Sequence, residues 1–258
     1  MSFELLFLGT GTSVGVPMIG CDCAVCASAD PRNHRRRSAA HIRVGGTGIL
    51  IDTPPDLREQ ALTFRVRDVH AVLITHSHAD HLMGFDDIRR FNTLNQAALP
   101  IYAPPEVLAE VRRVFHYVGA TAASGLYRPL ADFRGVCGPF EIGGAIVTPV
   151  PVVHGTSPVF GYRIDYAGRS LGYVPDCAAM PENAFALLAG VDVMVLDALR
   201  DRPHATHFTV AQSLDALARI RAGRAYLIHL CHDLEHAALQ SRLPKNVFVS
   251  YDGLRIEI

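Results

Sequence analysis

Short apolar runs of strand length recur along the chain and alternate with longer stretches of mixed polarity. Runs of four to eight apolar residues bounded by Gly, Pro or Asp are typical of buried strands. A first sheet is expected from residues 3–8, 48–52, 72–76 and 101–103. A second sheet is expected from residues 146–153, 160–165, 170–174, 193–196, 225–229 and 247–251. Two β-sheets are therefore predicted, in chain order.

The stretches between these strands carry the spacing and the end signals of helices. Helices are predicted over residues 106–117, 182–188, 210–220 and 234–243, the first of them after two prolines. The tripeptide Tyr166-Ala167-Gly168 marks a hairpin turn, and Asp252-Gly253 marks another turn near the end. Because no linker is long enough to separate domains, the pattern predicts one α/β domain over residues 1–258.

Composition excludes several classes of protein. The chain has 258 residues, of which 49% are hydrophobic, so it can bury a large core. A net charge of -1 argues against a general nucleic-acid binder or a protein of acidic membranes. The first residues lack the basic flank and cleavage site of a signal peptide, and no apolar stretch has membrane-spanning length. The six cysteines fit a reducing compartment, and we expect a soluble, cytoplasmic protein.

Three histidines and an aspartate follow the apolar run that ends at Ile74, in the segment T-H-S-H-A-D-H-L. His76 and His78 alternate on an extended chain and can face one ion, while Asp80 and His81 can reach a second ion. Imidazole and carboxylate together suit zinc, manganese or iron. The alternative is a chance cluster of surface histidines, which the dense spacing after a strand disfavours.

This motif, His-x-His-x-Asp-His, resembles that of the metallo-β-lactamase superfamily of dinuclear hydrolases. Further ligands match in P-V-V-H-G, G-Y-V-P-D and Y-L-I-H-L, which contain His154, Asp176 and His229. The resemblance implies a four-layer αβ/βα sandwich. It also implies two catalytic divalent metals, zinc or manganese, one held by His76, His78 and His154, the other by Asp80, His81 and His229, with Asp176 as the bridge.

A second cluster, C-D-C-A-V-C at residues 21–26, contains Cys21, Cys23 and Cys26. No fourth cysteine lies nearby, so a Cys₃His zinc site would take its last ligand from a distant histidine. His232 is our choice, and its neighbour Cys231 stays open as an alternative ligand; a disulfide is the competing interpretation. The combination resembles the phosphoribosyl 1,2-cyclic phosphate phosphodiesterase branch, in which such a knuckle binds one structural zinc.

Other polar residues complete the predicted site. Asp52 is expected either to accept an N–H from a metal-bound imidazole or merely to cap a turn. The segment H-F-T resembles the element that supplies a catalytic histidine in this branch, so His207 is our candidate general acid, supported by Asp80. His204 competes for that role, and both could be ordinary loop histidines. Thr209 would then only cap the helix.

The basic stretch from Pro31 to Ser38 could bind a substrate phosphate through Arg35, Arg36 or Arg37, or could be a solvated face. The metal ligands and the resemblance together predict a phosphodiesterase that attacks phosphorus with a metal-bridging hydroxide. Its substrate would be a small cyclic or linear phosphodiester, and the resemblance implies phosphoribosyl 1,2-cyclic phosphate as the first example. A thioester or lactone hydrolase of the same fold is the alternative, followed by a tRNA 3′-processing nuclease. A homodimer is left open.

Overall fold

The computed structural model describes residues 2–119 and 127–258, and its first β-sheet contains seven strands. Numbered in chain order, they are β1 (Phe3–Gly9), β2 (Ala39–Val44), β3 (Thr47–Ile51), β4 (Ala71–Leu73), β5 (Leu99–Ala103), β6 (Ala131–Gly135) and β14 (Arg255–Glu257). Their order across the sheet is β14-β1-β2-β3-β4-β5-β6. Strands β3 to β6 run parallel to one another, whereas the pairs that involve β14, β1 and β2 are antiparallel.

The second sheet also contains seven strands in the described ranges. They are β7 (Phe140–Ile142), β8 (Ala145–His154), β9 (Ser157–Tyr166), β10 (Arg169–Val174), β11 (Val193–Asp197), β12 (Arg224–Ile228) and β13 (Val247–Val249). Their order is β13-β12-β11-β10-β9-β8-β7. The predicted hairpin is confirmed, because Tyr166 of β9 pairs with Arg169 of β10 across the turn.

Helices connect many of these strands. They are α1 (Leu57–Thr63), α2 (Ala79–Leu82), α3 (Ile88–Asn95), α4 (Pro105–Val114), α5 (Glu182–Leu188), α6 (Val210–Ile220) and α7 (His236–Ser241). Short 3₁₀ turns occur at Pro31–Asn33 and Phe85–Asp87. Helix α6 begins where predicted, because Thr209 and Gln212 form a reciprocal capping box that satisfies two backbone N–H groups.

Three apolar layers give the molecule its architecture. Alternate residues of β11 face opposite sides of the sheet, so Val195 packs between the two sheets while Leu196 packs against outer helices. On the first sheet, Ile49 faces the other sheet and Leu50 faces the outer helices. Helices therefore cover the outer face of each sheet. The predicted four-layer αβ/βα sandwich is confirmed.

Several predicted boundaries are wrong. Residues 72–76 were expected to be a strand throughout, but β4 ends at Leu73, and the segment from Ile74 onwards is a loop leading to α2. Helix α7 is shorter than the predicted 234–243. Strands β2, β6, β7 and β14 and helices α1, α2 and α3 were not predicted. Strand β2 escaped because His41 and Arg43 interrupt its apolar pattern, although His41 is buried and bonds to the backbone oxygen of Asp68.

Among the described residues, no helix has the length and apolar character needed to cross a bilayer.

Candidate metal centre

The ends of four strands bring histidines and aspartates to one edge of the sandwich. The loop after β4 and helix α2 carry the His76 to His81 segment, and His154 is the last residue of β8. Asp176 lies two residues after β10, and His229 directly follows β12. Ligand sites of α/β sheets lie at the carboxyl ends of strands because loops there converge. The fold thus gathers residues that are distant in sequence.

These side chains form two adjacent groups. Within each group, all ligand atoms lie within 4.8 Å of one another. One group is His76, His78 and His154, and the other is Asp80, His81, Asp176 and His229. Asp176 touches both. Its Oδ2 lies 3.6 Å from Nε2 of His154, and its Oδ1 lies 3.1 Å from Nε2 of His81. The arrangement is that of two neighbouring cation sites joined by one carboxylate.

Several polar atoms that face this centre are buried and have no hydrogen-bond partner among the described residues. They are Nε2 of His76, His81 and His229, together with Oδ1 of Asp176. Burying an unsatisfied polar group costs about 1–3 kcal/mol, and a bound cation would remove that cost for the whole cluster. Nitrogen and carboxylate oxygen donors are the set that zinc and manganese accept. The residues present therefore fit two divalent cations.

Asp52 orients two of the imidazoles from behind. Nδ1 of His81 donates to Oδ2 of Asp52 at 2.7 Å. The hydroxyl of Thr75 donates to the same carboxylate at 2.8 Å and accepts from Nδ1 of His76 at 2.9 Å, in the assignment that satisfies all three groups. Both rings consequently turn a bare Nε2 towards the centre. The carboxylate of Asp52 accepts this hydrogen bond from His81, which is the contact that the first of the two predictions for Asp52 requires.

Two of the six non-glycine residues with positive φ in the described ranges lie at the same edge. Asp52 and His229 both adopt left-handed conformations, with φ of 63° and 60°. For residues other than glycine this conformation costs about 1 kcal/mol or more, and such residues cluster at functional sites. Both positions lie directly after a strand, where the strained backbone directs His229 into the centre and Asp52 towards Thr75 and His81 behind it.

His207 lies beside the centre and is held by a carboxylate that the sequence reasoning missed. Its Nδ1 donates to Oδ2 of Asp197 at 2.8 Å, and the same oxygen accepts the backbone N–H of Cys177 at 2.8 Å. The supporting role of Asp80 stays a prediction: Asp80 lies 3.4 Å from His81 within the metal cluster, and its negative charge acts to raise the pKa of His207. Asp197 ends the buried strand V-M-V-L-D, a signal that could have identified it.

Nε2 of His207 points towards the centre, 3.9 Å from Oδ2 of Asp176. Its ligand atom also lies within 4.8 Å of those of His154 and Asp176, so geometry alone permits it to act beside a metal or on one. Burial and the neighbouring His229 lower the pKa of His207 to about 4, while burial raises the pKa of Asp197. His204 is exposed, with its ring centroid 5.2 Å from that of His207.

A second centre is formed by Cys21, Cys23, Cys26 and His232, whose ligand atoms all lie within 4.8 Å of one another. Nδ1 of His232 is 3.2 Å from Sγ of Cys21 and 3.6 Å from those of Cys23 and Cys26. A backbone hydrogen bond from Cys26 lowers the pKa of the Cys23 thiol to about 6. Three sulfurs and one imidazole fit a tetrahedral zinc.

The alternatives for this cluster fare differently. All six cysteines are free, so the disulfide interpretation is wrong. Cys231 is outside the group of described ligand atoms, and its Sγ accepts the backbone N–H of Asp233 instead. His232 follows three residues after His229, which places the two centres at the two ends of one short turn.

The three arginines after the knuckle do not form one phosphate clamp. Arg35 is buried at 1% exposure, so its guanidinium has no access to a substrate, and the prediction is corrected for this residue. Arg36 donates to Glu59 at 2.7 Å, and Arg37 donates to Asp56 at 2.9 Å. Both remain partly exposed, and a contact with substrate stays a prediction for them.

Comparison with known proteins gives matches over most of the chain. The family model described as "Beta-lactamase superfamily domain" matches residues 47–230. A crystal structure of a diphosphatase from the PhnP family is 37% identical, with a TM-score of 0.91, and the match covers 100% of this chain and 98% of that one. Zinc-bound PqqB from Methylobacterium extorquens has a TM-score of 0.79 at 23% identity, covering 99% and 100% of the two chains, which shows the fold alone.

A curated octanoyltransferase of Porphyromonas gingivalis is 34% identical over 261 residues, or 96% of this chain. The chain spans about half the length of that relative, since the match covers 50% of it. Half of the octanoyltransferase therefore has no counterpart here.

Proposed function

Because the chain belongs to the beta-lactamase superfamily and, within it, to the PhnP family, we propose that this metal-dependent hydrolase is a dinuclear phosphodiesterase of small molecules. The observation that carries the proposal is Asp176, whose carboxylate contacts both groups of imidazoles in a buried centre with unsatisfied ligand atoms. Such a shared carboxylate would hold two cations next to each other, and a pair of neighbouring cations suits phosphoryl transfer.

Two divalent cations bound there would supply an activated water and neutralise negative charge on the phosphoryl group. The first would take His76, His78 and His154, and the second Asp80, His81 and His229. The chain's own task is to hold these ligands rigidly. Asp52 does so for His81 directly, and for His76 through Thr75. The backbone oxygen of Thr206 does so for His154, accepting from its Nδ1 at 2.7 Å.

His207 is proposed to protonate the departing oxygen. Asp197 accepts from its Nδ1, which leaves Nε2 directed towards the centre as the atom that exchanges a proton. Burial and the nearby His229 hold the pKa of the His207 imidazole at about 4 when no substrate is bound. A bound phosphoryl group adds negative charge next to Nε2, and this charge favours the protonated ring. Asp197 is thus a positioning residue for His207.

The proposed substrate is a small phosphodiester, with phosphoribosyl 1,2-cyclic phosphate as the first compound to test. The PhnP-family diphosphatase supports a second candidate, a diester of diphosphate, because attack at phosphorus is common to both bonds. The two differ in their leaving groups. An alkoxide needs a proton on departure, whereas a phosphate leaves readily without one, so only the first substrate class needs His207 strongly.

Other activities of the same fold rank lower. A thioester hydrolase would leave His207 without a purpose, since a thiolate departs unprotonated. A lactone hydrolase would release an alkoxide and could use His207, so it ranks lower only because the PhnP-family relative is a diphosphatase. A tRNA-processing nuclease requires basic surface for the phosphate backbone, and the net charge is -1. Octanoyl transfer is the activity for which a relative twice as long is named. Half of that relative has no counterpart in this chain, so its activity cannot be assigned to the half that matches.

A hydrolysis panel with metal-loaded enzyme tests the proposal. It contains the ribosyl cyclic phosphate, a diphosphate diester, bis(p-nitrophenyl) phosphate, p-nitrophenyl phosphate and a thioester. We expect turnover of the diesters and little turnover of the monoester, which carries more negative charge. Asp176→Asn is the control against contaminating hydrolases. Thioester hydrolysis that outpaces every phosphorus substrate would overturn the proposal.

A further inference from the structure

A groove with a volume of about 560 Å³ lies between α1 and α3, on the outer face of the first sheet. Its floor is apolar and contains the buried side chains Leu57, Val66 and Phe91. Two further leucines line it and remain open to solvent, Leu62 at 63% exposure and Leu94 at 45%. Exposed apolar side chains that line a concave surface indicate a binding site.

We call this groove, formed by residues 57–67 and 87–94, the arginine groove. Its rim is strongly basic. Arg58, Arg65, Arg67 and Arg90 line it, all exposed, and none forms an ion pair within the described ranges. Its acidic lining residue, Asp87, faces Arg58. Four exposed arginines against this one carboxylate give the groove lining an excess of positive charge. The groove therefore favours a partner with negative charge.

The positive charges are distributed along the groove. Arg58 is in the first turn of α1, and Arg65 lies two residues beyond its end. Seven residues of helix correspond to roughly 10 Å. One phosphate or carboxylate head group is too small to contact both ends of such a span. Two turns of a second helix, with several acidic side chains, match it.

The apolar floor has the form that receives a helix. Leu57 and Ala61 on α1 are four residues apart, and Phe91 and Leu94 on α3 are three residues apart, so each pair forms a ridge on its own helix. An apolar stripe on an incoming helix lies between such ridges. A nucleic-acid backbone would leave the leucines exposed, and a bilayer surface would meet a concave face poorly.

We propose that the arginine groove docks an acidic amphipathic helix of a partner protein, with apolar residues on the floor and Glu or Asp against the arginines. The proposal does not depend on the phosphodiesterase proposal, because none of its residues belongs to the metal centre.

A designed probe tests this docking with the full, metal-loaded chain. The probe is a labelled synthetic helix with Leu at positions i, i+3, i+4 and i+7 and Glu on the remaining faces. A second peptide of identical composition has its order permuted, so that the apolar stripe is lost. Fluorescence anisotropy measures both at low and moderate salt. We expect the first to bind, the second to bind far more weakly, and salt to weaken binding.

Matched variants locate the contact. Arg90→Glu on α3 and Leu94→Asp should each weaken binding of the amphipathic probe roughly tenfold. Lys245→Glu reverses an exposed charge between α7 and β13 and should leave binding unchanged. All three should keep the hydrolytic rate of the parent, which also shows that they fold.

Three outcomes would overturn the proposal. The first is no binding of the amphipathic probe at low salt. The second is equal binding of the permuted peptide, or equal weakening by Lys245→Glu, since either result means unspecific charge attraction. The third is sedimentation with phosphatidylglycerol vesicles that Arg90→Glu abolishes while the probe fails to bind, which would assign the groove to a membrane surface.

Discussion

The two ligand clusters of this protein differ in how the chain builds them. The histidine and aspartate centre draws on the ends of β4, β8, β10 and β12, and its side chains are almost all buried, with His78 the exposed member. The knuckle takes three ligands from residues 21–26 and a fourth from His232, and it is only partly buried. The histidine and aspartate centre can form only after the strands that carry its ligands have come together. The knuckle instead connects an irregular loop to the folded domain through His232.

The two centres also differ in the atoms that would bind a metal. Nitrogen and carboxylate ligands leave a cation acidic enough to activate water and able to exchange. Three thiolates and an imidazole complete a tetrahedron and leave no place for a substrate. The first centre is therefore proposed to act in catalysis and the second to act in folding. A change in one centre should accordingly leave the metal of the other in place.

The largest effect is expected at the bridging carboxylate. Asp176→Asn should lower kcat/KM for a phosphodiester by about 10³–10⁴, because both cations lose their shared ligand. Zinc in the knuckle and the melting temperature should change little. The control is Asp201→Asn, an equal change at a surface carboxylate that pairs with Arg242 and belongs to neither centre. A loss of knuckle zinc in Asp176→Asn would contradict the separation of the two centres.

Next is His207, where the loss should depend on the leaving group. His207→Ala should cost roughly 10²–10³ in rate with a ribose alkoxide leaving group and much less with p-nitrophenolate, which needs no proton. Metal content should stay at the parent value. The matched control is His204→Ala, on the same loop. A fall in bound metal would show that His207 is a ligand, and the same pattern in His204→Ala would identify the latter as the acid.

Loss of a knuckle ligand should act on stability. Cys23→Ala should lower the free energy of unfolding by about 3 kcal/mol or more, because zinc binding energy at such a site is also folding energy. The rate per folded molecule should remain close to that of the parent. Cys137→Ala, at an exposed free cysteine, provides the comparison in denaturant titrations. Equal unfolding curves for both variants would exclude a structural role.

The smallest effect is expected behind the first centre. Asp52→Asn removes the acceptor that fixes the tautomer of His81, and it should weaken catalytic metal binding by roughly 10–100-fold. Competitive titration with a chromogenic chelator measures that affinity directly. Excess metal should restore most of the rate. Asp56→Asn, which removes a surface partner of Arg37, should leave the affinity unchanged.

The sequence predicted most elements of the second sheet, because β10 and β11 are apolar runs buried on both faces and β8 is a long apolar run. Helix α5 and helix α6 begin and end where expected. The first sheet was harder to predict. Strand β2 contains a buried histidine, and β14 joins β1 only through a contact between the two ends of the chain, which no local pattern reveals.

The site divides in the same way. Its histidines and aspartates stand out in short motifs, whereas Asp197 was missed because its role depends on a loop that returns to it ten residues later. Arg35 could not be judged from sequence, since a run of three arginines gives no sign of which one turns inward. The sequence therefore revealed which residues could bind a metal. It did not reveal contacts between distant segments or the direction in which a side chain points.

Metal counting under staged chelation tests the central claim, that one chain holds an exchangeable catalytic pair and a retained structural ion. Elemental analysis would follow the parent, Asp176→Asn and Cys23→Ala through increasing chelator. We expect three ions in the parent, two lost together with activity under mild chelation, and one zinc that only Cys23→Ala lacks. Release of all metal in a single step, or a parent that retains none with its cysteines intact, would contradict the account.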